Sequence, residues 1–170
     1  MKKLFAILAL AALLVGGWYF ASPWITLSGL EEAALDVDLV ELEQRVDFDA
    51  VRTSLKDELH QRVADATADS GTAVRVLGGA LVNGLTDMAI DSAVTPTGVA
   101  GLVSTGKLAA PLAPRSEREG KLEWSVAHRG FTEFDAASRF ADGSAGPILR
   151  FARDGLAWKL VAIELPDSGR

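Results

Sequence analysis

The chain has 170 residues, 49% of them apolar, and a formal net charge of −6. This length accommodates one domain, or one domain with an appendage, and supplies enough apolar residues for a sizeable core. The acidic balance argues against a nucleic-acid partner. The absence of cysteine excludes disulfides, cysteine nucleophiles, thiolate metal sites and lipidation at cysteine.

The N-terminus has the pattern of a membrane anchor. Two lysines precede an uncharged apolar run of 18 residues from Leu4 to Ala21, close to the ~20 that a helix needs to cross a bilayer. Aromatic rings typical of the membrane–water interface follow near its end, and Pro23 is expected to interrupt the helix. Basic residues come before the run and acidic residues after it, which favours a cytoplasmic N-terminus. We predict an uncleaved signal anchor, a transmembrane helix over residues 1–23, and an extracytoplasmic domain over residues 24–170.

A cleaved signal peptide is the alternative. Signal peptidase requires small residues at positions −3 and −1 of the cut. Cleavage after Ala21 would place Tyr19 at −3, which fits poorly. Cleavage after Gly17, with Val15 at −3, stays open.

Helical patterns dominate as far as residue 104. Residues 24–35 have a mixed helical pattern, and a break follows at Asp36-Val37-Asp38. Asp38 and Glu41 match a capping box, which predicts a short helix ending at Val46. From Phe48 the apolar spacing of three and four predicts a longer helix with one face on the core.

Three further segments complete the helical part. Asp69-Ser70-Gly71 is expected to break the chain, and residues 72–93 have a helical pattern whose charges argue against a second membrane span. Thr95-Pro96 predicts an N-cap and first helical residue for a short helix to about Ser104. Residues 105–120, with two prolines and mixed charge, are typical of a loop or linker.

The last fifty residues change to the alternation of β-strands. Leu122, Trp124, Val126 and His128 share one face of a predicted strand. Asp154-Gly155 predicts a two-residue hairpin turn, with Phe151 opposite Trp158. Helices followed by an antiparallel sheet of three or four strands give the α+β class. This order is also similar to the cystatin-like and NTF2-like architectures.

Several of these motifs together resemble the bacterial domain-of-unknown-function family 2939. The motifs are the apolar anchor ending in Ser22-Pro23-Trp24, Val46-Asp47-Phe48 with Arg52, Thr95-Pro96 with Gly98, and the closing Trp158-Lys159-Leu160 with Ile163, Leu165 and Pro166. The position after Phe48 is often proline in such proteins, and here it is Asp49. The resemblance implies a membrane-anchored protein and no known activity, and it makes Asp47, Phe48, Arg52 and Trp158 structural motif residues.

Asp47 and Asp49 are the most conspicuous candidates for chemistry. A carboxylate pair could act in acid–base catalysis or bind a metal, but no neighbouring spacing supplies further ligands. Aspartate is a preferred N-cap, and Arg52 lies within reach of Asp49. We interpret the pair as a helix cap and an ion pair.

The strand residues Trp124, Phe151, Trp158 and His128 are the other candidates. Inward-facing aromatic residues usually form core, although a curved sheet would let Trp124, Phe151 and Trp158 line an apolar pocket. His128 is interpreted as a hydrogen-bonded or edge histidine, because one strand histidine does not define a catalytic triad.

No nucleophile elbow, metal-ligand spacing or phosphate loop is present, so we predict a non-enzymatic protein without cofactors. The predicted function is a single-pass inner-membrane protein whose periplasmic domain is an interaction or structural module of the bacterial envelope. Its partner would be another envelope protein. The alternative is a module that binds a small apolar ligand or lipid between helices and sheet.

Overall fold

A computed structural model describes residues 2–66, 84–108 and 122–166. The first two of these ranges are helical and the third forms an antiparallel sheet, which confirms the α+β class. The helices are α1 (Lys2–Asp36), α2 (Leu39–Arg45), α3 (Phe48–Ala66), α4 (residues 84–93) and α5 (Pro96–Thr105). The strands are β1 (Leu122–His128), β2 (Glu133–Phe140), β3 (Ala145–Asp154) and β4 (Ala157–Glu164).

Helix α1 continues through Pro23, so the expected interruption at this residue is wrong. Proline has no N–H, which would leave the Tyr19 carbonyl, four residues earlier, without its helical donor. The Ser22 hydroxyl donates to that carbonyl at 3.2 Å and replaces the missing bond. One helix therefore crosses the predicted boundary between the anchor and the domain.

Side chains cap α2 and α5 at the predicted residues, but only the Asp38 half of the predicted capping box is formed. The Asp38 N–H donates to the Ala33 carbonyl at 2.9 Å, and the Glu41 carboxylate accepts from Nε of Arg45 at 2.8 Å. Val37 takes a left-handed conformation (φ 57°), which ends α1 and reverses the chain. The Asp38 carboxylate then accepts a hydrogen bond from the Glu41 N–H at 3.0 Å and caps α2. Thr95 caps α5 in the same way, through the Gly98 N–H at 3.1 Å, with Pro96 in the first turn. Both predicted N-caps are confirmed.

The four strands form a meander in the order β1-β2-β3-β4, with every neighbouring pair antiparallel. The β3–β4 turn is centred on Gly155-Leu156, and the predicted turn at Asp154-Gly155 is wrong by one residue. Gly155 has φ 64°, and a glycine with positive φ at the first central position is typical of type II′ turns. The predicted turn would have required a positive φ at Asp154 as well.

The shifted turn changes the strand partners and keeps the buried face. Phe151 lies opposite Leu160, whereas the predicted partner was Trp158. Moving the turn by one residue changes the partner of Phe151 by two positions, and residues two apart lie on the same face of a strand. Beyond a register shift between Arg150 and Phe151, Leu149 lies opposite Ile163. Phe151, Trp158, Leu160 and Leu149 are accordingly all buried.

The core lies between the inner face of the sheet and the helices. Phe134 of β2 stacks on Phe151 of β3 with ring centroids 4.5 Å apart, and the edge of Trp158 meets Phe134 at 4.9 Å. The second half of α1 contributes Leu27 and Leu30 to the same cluster. Burying each such side chain stabilises the fold by roughly 1.5–3 kcal/mol.

Three predicted features lie wholly or partly outside the described residues. They are the break at Asp69-Ser70-Gly71, the first half of the helix over residues 72–93, and most of the loop over residues 105–120. The second half of the residue 72–93 helix is described as α4, in agreement with the pattern.

Candidate functional site

The junction between α2 and α3 contains the two candidate aspartates. Asp47 precedes the first residue of α3, and its carboxylate accepts a hydrogen bond from the Ala50 N–H at 3.0 Å. This is the geometry of an N-cap, in which a side-chain oxygen pairs an amide that has no partner within the helix.

Asp49, by contrast, forms the ion pair. Its carboxylate lies 3.0 Å from Nη1 of Arg52, one turn along α3. The other arginine nitrogen, Nη2, donates to the Val94 carbonyl at 2.9 Å, and the guanidinium lies 5.9 Å from the Phe48 ring centroid. Arg52 therefore connects the start of α3 to the segment before α5.

The same junction is also joined to the sheet. The Asp47 N–H donates to the Leu160 carbonyl at 2.9 Å, and Val46 forms an isolated parallel bridge with Leu160. Cap, ion pair and bridge together fix where α3 begins relative to β4. The motif residues Asp47, Phe48 and Arg52 thus form a structural joint between helices and sheet.

A groove of about 950 Å³ starts at this joint and runs between α3 and strands β3 and β4. Six carboxylates and two arginines line it: Asp47, Asp49, Asp57, Glu58, Asp65, Glu164, Arg62 and Arg150. Ile148 and Ala162, both partly exposed, supply apolar surface at the sheet side. The lining combines an acidic rim with an apolar floor, which suits a cationic or amphipathic segment more than a small apolar ligand.

Glu58 lies partly buried in the groove. Burial raises the pKa of its carboxyl above the ordinary value, and the charge of Glu164 adds to this effect. Nη2 of Arg62 lies 2.6 Å from Oε1 of Glu58, and its positive charge lowers the pKa of Glu58 without cancelling the increase.

On its other side α3 is tied to α4 by two contacts. Nζ of Lys56 lies 2.7 Å from the Asp91 carboxylate, and Nε2 of His60 lies 2.8 Å from the Asp87 carboxylate. The histidine on the polar helix face is therefore part of a contact between helices. Within residues 2–66, 84–108 and 122–166, no three His, Asp or Glu side chains converge as a metal site would require.

The structure places the three aromatic candidates in or beside the core. Phe151 is fully buried in the ring stack, and Trp158 is 4% exposed, with its indole N–H donating to the Ser22 hydroxyl at 3.1 Å. Trp124 packs against the edge of the cluster, half-buried. Its buried indole nitrogen has no hydrogen-bond partner among the described residues.

His128 lies at the end of β1, beside the anchor helix. Its ring is 5.2 Å from the Tyr19 ring and 5.6 Å from the Phe20 ring, measured between centroids. Tyr19 in turn donates its hydroxyl to the Gly130 carbonyl at 2.6 Å. No sequence pattern indicates the contact between Tyr19 and Gly130, because these two residues are 111 positions apart.

The groove was also not identified from the sequence. Asp57 and Gln61 were visible only as the polar face of an amphipathic helix, which is the ordinary pattern of solvent exposure. What makes them part of a concave surface is the position of β4 beside α3.

Comparison with known proteins identifies the family of this chain. The family model described as "Protein of unknown function (DUF2939)" matches residues 12–102, more than half of the chain. The matched segment includes most of the apolar run, the Val46-Asp47-Phe48 joint and the Thr95-Pro96 cap, and it ends before the sheet. Neither a curated protein nor a solved structure matches the chain. The chain belongs to the DUF2939 family of proteins of unknown function.

Proposed function

We propose that this protein is a membrane-anchored module of the bacterial envelope, with a periplasmic domain that binds another protein and performs no catalysis. Helix α1 would cross the inner membrane once, with the N-terminus in the cytoplasm. The protein would combine a rigid anchor with a partner-binding groove.

The observation that carries the proposal is the contrast between the two halves of α1. It is a helix long and apolar enough to cross a membrane. In its first half, large apolar side chains such as Leu10, Leu13 and Leu14 are exposed, whereas Leu27 and Leu30 in the second half are buried. An exposed apolar surface of this length is unfavourable in water and favourable in a bilayer.

The connection between anchor and domain is stiff. The helix does not break at Pro23, and the buried bond from Trp158 to Ser22 ties the sheet to the middle of α1. A stiff connection holds the domain at a set height and orientation above the membrane. Such an arrangement suits a protein that positions a partner more than one that searches on a flexible tether.

The acidic groove is the surface on which we expect the partner to bind. Asp57 and Asp65 are exposed at its rim and give it a negative field. The partner segment would be cationic, with apolar residues meeting Ile148 and Ala162.

A reporter fused after Arg170 tests the anchor and its orientation. We expect activity from an alkaline phosphatase reporter, because this enzyme is active only outside the cytoplasm. We expect no activity from a reporter that works only in the cytoplasm. For the chain without the reporter, an intact mass of 18.0 kDa would establish an uncleaved N-terminus. Activity of the cytoplasmic reporter would refute the orientation, and loss of the first 17 residues would establish cleavage after Gly17.

Site-specific crosslinking in living cells tests the groove. A photoreactive residue at Ser54, which lines the groove, is expected to give a discrete adduct with a second protein. The matched control places the same residue at Ala141, an exposed position in the β2–β3 turn. Replacing Asp57 and Asp65 by asparagine should weaken the Ser54 adduct. An adduct that is equally strong from Ala141, or insensitive to the two replacements, would refute the groove as the binding surface.

A further inference from the structure

We propose that two hairpin tips of the sheet insert into the lipid leaflet from which α1 emerges. The tips are the β1–β2 turn, residues 129–132, and the β3–β4 turn, residues 154–157. Their occupant is the phospholipid bilayer itself, with Phe131 and Leu156 among the acyl chains. The inference rests on the proposed membrane anchor and adds a second, independent membrane contact to it.

The first tip lies directly against the anchor helix. The Tyr19 hydroxyl donates to the Gly130 carbonyl at 2.6 Å, and the Tyr19 and Phe131 rings have centroids 5.8 Å apart. Phe131 is nevertheless 82% exposed. The contact with Tyr19 leaves most of the Phe131 ring uncovered. So large an exposed apolar surface is unfavourable in water and favourable in lipid.

The second tip lies on a neighbouring side of the same helix. Leu156, also 82% exposed, shares a depression with Trp18 and Ile25 of α1. Arg153 links the two tips, since its guanidinium lies 5.4 Å from the Trp18 ring and 4.2 Å from the Trp158 ring and donates to the Phe131 carbonyl. Both tips therefore lie at the level of residues 18–25 of the anchor.

The length of the span sets the depth of this level. A helix rises 1.5 Å per residue, so Tyr19 lies about 22 Å along the axis from Leu4. The hydrocarbon core is about 30 Å thick. If Leu4 is at the cytoplasmic boundary, next to the lysines, Tyr19 and the Phe131 ring beside it lie below the far edge of the hydrocarbon. A tilt of α1 would place them deeper.

The carbonyls of the first tip have hydrogen-bond donors within the protein. An unpaired carbonyl in hydrocarbon is costly. The three successive carbonyls of the turn all accept hydrogen bonds: Gly130 from the Tyr19 hydroxyl, Phe131 from Nε of Arg153, and Thr132 from the Arg153 N–H. The Glu133 carbonyl accepts from the Arg129 N–H.

The two ends of the sheet differ in apolar character, as expected if the β1–β2 and β3–β4 turns face the membrane. The β2–β3 turn, at the opposite end, is Ala141-Asp142-Gly143-Ser144, with the Asp142 carboxylate bonded to Ser144. It has no large apolar side chain. At the end with the two tips, the exposed Arg129 side chain can extend toward the lipid phosphates. Arg153 stays beside the Trp18 and Trp158 rings, and the Asp154 carboxylate of the second tip is paired with Nζ of Lys159 at 2.9 Å.

Depth-dependent quenching on the full chain tests the inference. The protein has no native cysteine, so a single introduced cysteine can carry one environment-sensitive fluorophore. The variants are Phe131→Cys and Leu156→Cys at the tips, Leu13→Cys in the anchor, and Ala141→Cys at the opposite turn. Each is reconstituted into phosphatidylethanolamine–phosphatidylglycerol vesicles with nitroxide-bearing acyl chains.

We expect blue-shifted emission and loss of fluorescence at positions 13, 131 and 156, and neither change at position 141. If position 13 is quenched and positions 131 and 156 behave like position 141, tip insertion is refuted. The proposed membrane anchor is then still supported. Quenching at position 141 as strong as at the tips would refute the orientation of the sheet. An unquenched position 13 would refute the membrane anchor, and the inference with it.

Discussion

Replacing Asp47 tests whether the carboxylate at the α2–α3 junction serves the fold. In the Asp47→Ala variant, the Ala50 N–H loses its acceptor, which lies at 3.0 Å in the native protein. Loss of an N-cap costs about 1 kcal/mol, within a range of roughly 0.5–2 kcal/mol. For a chain of this size, this loss lowers the melting temperature by about 3 °C. The Asp47 N–H bond to Leu160 is a backbone contact and is unaffected.

The Asp47→Asn variant separates the hydrogen bond from the charge. Asparagine is as good an N-cap as aspartate, so the bond to Ala50 is kept, and the interactions of the charge with the helix dipole and with Lys159 are lost. The loss of the dipole interaction is about 0.3 kcal/mol for an exposed group. The control is Asp57→Ala, which removes an exposed carboxylate from the same helix without removing a cap.

The assays are urea unfolding and thermal unfolding of the detergent-solubilised chain, both monitored by circular dichroism. The expected order of stability is wild type, then Asp47→Asn, then Asp47→Ala, with Asp57→Ala within about 0.5 kcal/mol of wild type. Equal losses in the two Asp47 variants would show that the charge matters and the cap does not. If the Asp47→Ala variant is as stable as wild type, the Asp47 cap does not contribute to the stability of the protein.

Two further predictions concern buried polar contacts. Ser22→Ala leaves the buried Trp158 indole N–H without its acceptor and is expected to destabilise the protein by about 1–3 kcal/mol in urea unfolding, whereas Ser22→Thr keeps a hydroxyl and most of the stability. Equal stability of the two Ser22 variants would contradict this role. Glu58 has a raised pKa in the folded state, so its charged form lowers stability at neutral pH, and this penalty disappears as the pH falls through the raised pKa to below the ordinary glutamate value. Glu58→Gln should therefore be more stable than wild type at pH 7 and equal to it at low pH, and a difference independent of pH would contradict the assignment.

The sequence by itself determined the features that depend on residues within one or two turns of each other. Asp38 and Thr95 cap their helices as predicted, since an N-cap needs only an acceptor side chain and an amide three residues later. The change from helical spacing to alternation gave the α+β class, because each period reflects which side chains reach a single buried face. The apolar run before residue 22 was evident from composition alone.

Only the tertiary structure decided how these elements meet. Pro23 stays helical because Ser22 is held between Tyr19 and Trp158, and Trp158 comes from a strand 136 residues away. The groove exists because β4 lies beside α3, and the two hairpin tips reach the anchor because the sheet brings residues 130 and 153 next to residue 19. Such contacts join distant parts of the chain, and neither local propensity nor periodicity contains information about which distant residues will touch.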